Sequence, residues 1–223
     1  MNRSCRFAIL SFAGLLSLAI FSGCANVRPA ANVLDPVPVF VGDFGVHSGL
    51  FLPTTDGRFV EYAFGDWRYA AENKCLPHDA VIALAASPGS AFGRRYHDCK
   101  MGNLEPCLAR KPYSLQKVEC ERADVYALID RLDARYNALV EKKGPPVRND
   151  ETGVEFVRGD GHYSILNNCN HLTAQSLREL GCEVSGVVVW SKFRVAEPEK
   201  PVIQKIARKA PEAVPGWTAS IAE

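Results

Sequence analysis

The 223-residue chain contains no Cys-x-x-Cys pair and no His-x-x-x-His pair, which removes the common ligand spacings of a zinc site. Neither sign of charge is in excess, since 26 Lys and Arg stand against 25 Asp and Glu. No basic stripe interleaved with aromatics is present, so nucleic acid is not an expected partner. No apolar run reaches the roughly 20 residues that a membrane-spanning helix needs. No internal repeat is visible, and no motif calls for a metal or another cofactor.

What is there begins at the N-terminus. Arg3 and Arg6 precede an almost uninterrupted apolar run from Phe7 to Phe21, followed at once by Ser22, Gly23 and Cys24. A positive region, a short apolar stretch and small residues ahead of a cleavage point form an export signal. Phe21-Ser22-Gly23-Cys24 resembles the lipobox of bacterial lipoproteins, with Phe21 in place of the usual aliphatic residue. That resemblance implies a signal peptide over 1–23 and an acylated Cys24 as the mature N-terminus, with the membrane as a partner. Several acyl chains on one residue hold a domain firmly to a bilayer. Ala25 stands where an Asp would mark retention at the inner membrane, so the expected home is the outer membrane, facing the periplasm. An uncleaved anchor is the alternative, and both readings leave the rest of the chain outside the cytoplasm.

Removing the signal leaves about 200 residues, enough for one domain with a sizeable core. An oxidising compartment suits the remaining cysteines. Cys99 and Cys107 flank a short segment containing Gly102 and Pro106 and form one candidate bridge; Cys75 with Cys120 is a second. Spacing alone does not fix connectivity. With Cys169 a free thiol, one further cysteine is left over, and Cys182, at the end of an apolar helix face, is the expected buried thiol.

Residues 24–36 contain Pro, Ala and Asn and read as a tether, 37–195 as the domain, and 196–223 as a tail without sustained periodicity. Strands are predicted at Val37–Val41, His47–Leu52, Phe59–Phe64, Val81–Ala85, Val187–Trp190 and, as an edge, Val118–Cys120. Thr54-Thr55-Asp56-Gly57 is turn chemistry. Val125, Leu128, Ile129, Leu132, Tyr136, Leu139 and Val140 recur at helical spacing and predict a packing helix over 123–140. A second helix is predicted from Cys169 to Leu180, capped by Asn167 or Asn168 and ended by Gly181. The expected class is α+β, a small antiparallel sheet packed against helices.

Two segments carry chemistry. Val46-His47-Ser48-Gly49-Leu50-Phe51-Leu52 places a His at the start of a strand, and Asn167-Asn168-Cys169-Asn170-His171 places a Cys at the start of a helix. The partial positive charge of a helix N-terminus lowers a thiol pKa, and an adjacent imidazolium lowers it further. Free N–H groups at the same helix end can stabilise an oxyanion. Cys169 and His47 therefore read as nucleophile and base. His171 lies two residues along the helix, which turns it about 200° away from Cys169, so packing or helix-end hydrogen bonding is its expected role. Tyr163 precedes the Cys and is expected to line the site; His162 reads as a surface loop residue. Asn168 has two readings, oxyanion binding or capping, and capping is preferred. Trp67 is either a rim residue or an ordinary core aromatic.

The order His-then-Cys, with Asn-Cys-Asn opening a helix, resembles the circularly permuted NlpC-type papain-like proteins, which include lecithin:retinol acyltransferase. Val60-Glu61-Tyr62-Ala63-Phe64-Gly65-Asp66 adds a resemblance to a bacterial family known as the "urease-region conserved hypothetical" domain. Together these motifs span most of 37–193. The resemblance implies a papain-like fold and a third polar residue orienting His47. Permuted relatives carry an acidic residue or a His on the next strand, which selects Glu61, with Asp66 in reserve. Facing alternates along each strand, so Glu61 shares a face with His47 only if the intervening loop has an odd number of residues. The implied activity is thiol-dependent hydrolysis or acyl transfer on an amide or ester, with a lipid, acyl or peptidoglycan-peptide substrate. The alternative is a non-catalytic envelope lipoprotein, a binding module with the same fold.

Overall fold

The structure, a computed structural model, describes residues 23–74, 83, 85, 87, 89–99 and 104–197. The signal segment 1–22, Cys75 and most of the expected tail lie outside these residues. Among them, no helix is long and apolar enough to cross a membrane. The class is α+β, built around a mostly antiparallel sheet.

The strands in chain order are β1 (Ala25–Arg28), β2 (Pro36–Asp43), β3 (Ser48–Pro53), β4 (Phe59–Asp66), β5 (Ser90–His97), β6 (Ser114–Glu121), β7 (Val147–Arg148), β8 (Glu155–Arg158), β9 (Glu183–Gly186) and β10 (Phe193–Val195). Seven of them form one sheet in the order β6-β2-β3-β4-β5-β8-β7, every neighbouring pair antiparallel. Two α-helices are labelled α1 (Arg122–Lys143) and α2 (Cys169–Glu179).

Alternation sorts the sheet residues onto two faces. Val39 and Val41 of β2, Leu50 and Leu52 of β3, Val60 and Tyr62 of β4 and Phe92 of β5 form one buried cluster with the apolar stripe of α1 and with Ala174 and Leu177 of α2. The stripe is the predicted one, from Val125 through Leu139. On the other face Phe40, Phe51 and Phe59 pack with Phe44, Cys99 and Leu104, and Ala63 and Ala91 pack with Trp67, Val154 and Phe156. Both faces of β3 and β4 are thus covered, and every residue in those two strands is buried. The sulfurs of Cys99 and Cys107 lie at disulfide distance, and both residues pack with Leu104 on the second face.

Several expectations are corrected. Ala25–Arg28, expected in a tether, is the central strand of a second sheet, β10-β1-β9. Ala25 and Val27 point into the main core while Asn26 and Arg28 face solvent. That alternation gives the segment enough apolar surface to be held by pairing rather than left as a linker. No strand spans Val187–Trp190; β9 and β10 flank it, and the intervening chain instead supplies carbonyls to α2. The strand expected at 81–85 falls largely outside the described residues, and Ala83 and Ala85 are helical. Cys120 is a free thiol rather than part of a bridge, and it is buried in the same cluster as Cys182. The reason is placement: β6 aims Cys120 into the main core, where Cys182 arrives just after α2. Cys182 is the expected buried free thiol, but it is not solitary.

Candidate functional site

The start of α2 is assembled by its two asparagines. Asn168 caps the helix, its Oδ1 accepting from the Asn170 and His171 N–H groups. His171 closes a reciprocal capping box with Asn168, the helix-end role expected of it. The Asn168 amide donates to the carbonyls of Ile165 (3.3 Å) and Val189 (3.2 Å). Capping therefore occupies Asn168 at both ends, which leaves it no hydrogen for an oxyanion. The opposite end of α2 is finished by Gly181, with φ +79°. Its N–H reaches the Arg178 carbonyl and the Cys182 N–H reaches the Leu177 carbonyl, both at 3.0 Å, the two bonds of a Schellman closure.

Asn170 fastens α2 to β3. Its Oδ1 accepts the Ser48 N–H at 3.0 Å and the Ser48 hydroxyl at 2.9 Å, and its amide donates to the Val189 carbonyl at 2.7 Å. The Ser48 hydroxyl also meets that of Thr173 at 2.9 Å. Since Ser48 follows His47 and Asn170 follows Cys169, this buried staple delivers the imidazole to the sulfur. Cys169 and His47 line the same cavity, and the charge of each acts strongly on the other.

The electrostatics favour an ion pair. Burial opposes charge on Cys169, yet the His47 imidazolium, the Tyr163 hydroxyl and the Ser48 N–H together hold the thiol below its usual range. Burial likewise opposes charge on His47, but the Cys169 and Glu61 anions outweigh it and raise the imidazole to about 10. Glu61 is lowered to about 2: its burial is overcome by the His47 and His97 imidazoles that face it. Tyr163, whose hydroxyl lies 3.8 Å from the sulfur, is pushed up by burial and by the thiolate, so it remains a donor. The Tyr163 hydroxyl thus stands beside the sulfur, at the N-terminal end of a helix.

Glu61 is where the parity argument required. Pro53 pairs with Phe59 and Phe51 with Glu61, so residues 54–58 form an odd loop and Glu61 shares the face of Phe51, Gly49 and His47. Glu61 Oε1 is 3.8 Å from His47 Nε2. Glu61 Oε2 is closer to another imidazole, His97 Nε2 at 3.0 Å. His97 was not singled out by the sequence. It ends a strand, β5, that carries Arg94 and Arg95 and matches no motif, so only the position opposite Phe59 could have signalled it.

Asp66 and Trp67 are not brought to His47. Asp66 caps the single π-helical turn Trp67–Ala71, accepting the Tyr69 N–H at 2.9 Å, and its other oxygen accepts the Ser87 hydroxyl at 2.5 Å. With both oxygens engaged it touches the cavity wall but is not available to orient an imidazole. Trp67 is buried in the Val154–Phe156 cluster, with its indole N–H on Glu72 at 2.8 Å. His162 is exposed, as expected.

A cavity of about 350 Å3 opens beside Cys169 and His47. Its walls are largely apolar, including Phe44, Phe51, Phe64, Val154 and Phe156, with Glu61, Arg95 and His97 among the polar groups. Among the described residues, no group of three or more His, Cys, Asp or Glu is placed to hold a metal ion. Comparison of the chain with protein-family models, curated proteins and solved structures gives no match.

Proposed function

We propose that this chain is an exported, lipid-anchored thiol hydrolase or acyltransferase with a circularly permuted papain-like arrangement, Cys169 being the nucleophile, His47 the base and Glu61 its orienting carboxylate. The single observation that carries the reading is that buried Cys169, at the capped start of α2, and half-buried His47 line the same cavity. In it the Cys169 thiolate attacks an ester or amide carbonyl, and the oxyanion is met by the Cys169 N–H and the Tyr163 hydroxyl. Collapse of the adduct breaks the bond to the leaving alcohol or amine, which takes its proton from the His47 imidazolium. The thioester left on Cys169 is then resolved by water or an amine, whose proton passes to His47, restoring thiolate and imidazolium. The apolar walls favour an acyl or lipid group over a polar peptide as the part held beside the sulfur.

Iodoacetamide labelling tests the reading. Cys169 is expected to alkylate stoichiometrically at mildly acidic pH, far below the ordinary thiol pKa of about 8.5, while buried Cys120 and Cys182 do not react. His47→Ala is expected to return Cys169 to ordinary thiol behaviour. Labelling of Cys169 only at alkaline pH, or its recovery in a disulfide, would leave the binding-module reading in its place.

A further inference from the structure

Glu61 is paired more tightly away from the reacting pair than toward it. Its side chain is 11 % exposed, and its carboxylate lies 3.0 Å from His97 Nε2 against 3.8 Å from His47 Nε2. A carboxylate this buried stays ionised only while donors or cations face it, and two imidazoles supply that. Only one of them, His47, belongs to the proposed chemistry.

His97 is held in a way that leaves it one task. Its side chain is 1 % exposed, its ring meets the edge of Phe51 with centroids 5.3 Å apart, and its Nδ1 is buried with no partner among the described residues. The proton therefore belongs on Nε2, where Glu61 Oε2 accepts it. A proton on Nδ1 would find no acceptor. An unsatisfied buried nitrogen costs stability, and one retained in a native core calls for a reason. Gly49 supplies the complementary half of the geometry: a Cβ there would stand 3.0 Å from Glu61 Oε1. The carboxylate is thus fixed at Oε2 and crosses β3 through the gap at Gly49, presenting Oε1 to His47.

We infer that His97 is a positioning residue of the site, acting on the Cys169–His47 pair only through Glu61, whose carboxylate plane it sets by donating from Nε2. The inference rests on Cys169 and His47 being nucleophile and base. It adds a fourth side chain that touches neither sulfur nor substrate carbonyl.

The test is the pH profile of Cys169 alkylation in the full chain, measured for wild type, His97→Leu, His97→Gln, Glu61→Gln and the Leu/Gln double variant. His97→Leu is expected to cut the rate at mildly acidic pH about tenfold, one pK unit in the thiol, with the rate at alkaline pH unchanged. His97→Gln, which keeps a donor near Oε2, recovers most of the loss. The double variant is expected to be no worse than Glu61→Gln alone, because groups acting in series do not add. A His97→Leu profile that overlays wild type, or full additivity in the double variant, overturns the role of His97. A wild-type profile of an ordinary thiol overturns the proposed nucleophile instead, so the two failures are distinct. Should His97→Leu not fold, nitrogen-15 NMR of wild-type His97 decides: a proton on Nε2 is expected, and a proton on Nδ1 overturns the inference.

Discussion

The carboxylate of Glu61 reaches His47 by crossing β3 at a residue without a side chain. A Cβ on Gly49 would stand 3.0 Å from Glu61 Oε1 and 3.0 Å from the Phe51 ring, close enough that one of them must shift by a few tenths of an ångström. Overpacking of this kind costs about 1–3 kcal/mol, and Oε1, held less closely than Oε2, is the atom that gives way. Gly49→Ala is therefore expected to keep the fold, as read by far-UV circular dichroism, and to lower Cys169 alkylation at mildly acidic pH by about tenfold, a shift of about one pK unit. An unchanged rate would mean that Glu61 does not reach His47 over Gly49. At this scale the sequence was informative where chemistry demands a local pattern. Cys169 needs a helix start, and His47 and Glu61 needed a motif and a parity condition that the five-residue loop meets. His97 has no such pattern, since its meaning arises only from a strand pairing between β4 and β5.

Among the elements, α2 carries the site, and its two ends were legible because caps are local chemistry. Asn168 does more than cap. Its side chain also ties the helix start to the carbonyls of Ile165 and Val189. Loss of a cap alone costs about 0.5–2 kcal/mol, so Asn168→Ala is expected to destabilise by about 2 kcal/mol in urea titration, at the upper end of that range. It should also slow Cys169 alkylation, because a frayed first turn withdraws its N–H groups from the sulfur. Asn168→Ser, which keeps an acceptor for the N–H groups, should recover part of the stability. Equal stability of Asn168→Ala and wild type would show that the cap is dispensable. The elements that escaped the sequence reading are those decided by tertiary partners. In β5, Arg94 and Arg95 interrupt the apolar pattern, yet Arg94 reaches Asp133 of α1 at 2.6 Å and lies over the Tyr136 ring, and Arg95 donates to the Thr152 carbonyl. β1 is four residues long, too short for its alternation to stand out beside Pro29 and Pro36.

For the whole molecule, the thiolate–imidazolium pair makes stability depend on pH in a distinctive way. His47 is raised from 6.5 to about 10, so its contribution is complete below 6.5 and is lost as the pH rises through 10. Cys169 is lowered from 9.0, so its contribution is complete above 9.0 and is lost as the pH falls toward its folded value. Between 6.5 and 9.0 the two slopes cancel, because the folded pair and the unfolded pair each bind one proton. Below 6.5 the unfolded chain gains a proton that the folded pair lacks, and stability falls. Glu61, lowered from 4.5 to about 2, steepens that fall below 4.5. Above 9.0 the unfolded chain has released its last proton while His47 retains its own, and stability falls again. The His47 side chain is 33 % exposed and partly screened by solvent, so the shape of the curve is predicted rather than its depth. The measurement is urea unfolding of wild type and the Cys169→Ala/His47→Ala double variant across the pH range, with the difference taken to remove the groups outside the pair. A flat difference from about 6.5 to about 9, declining on both sides, is the expected outcome. A difference that rises or falls steadily between 6.5 and 9 would mean that the folded pair does not hold a single proton there, and the thiolate–imidazolium assignment would be overturned.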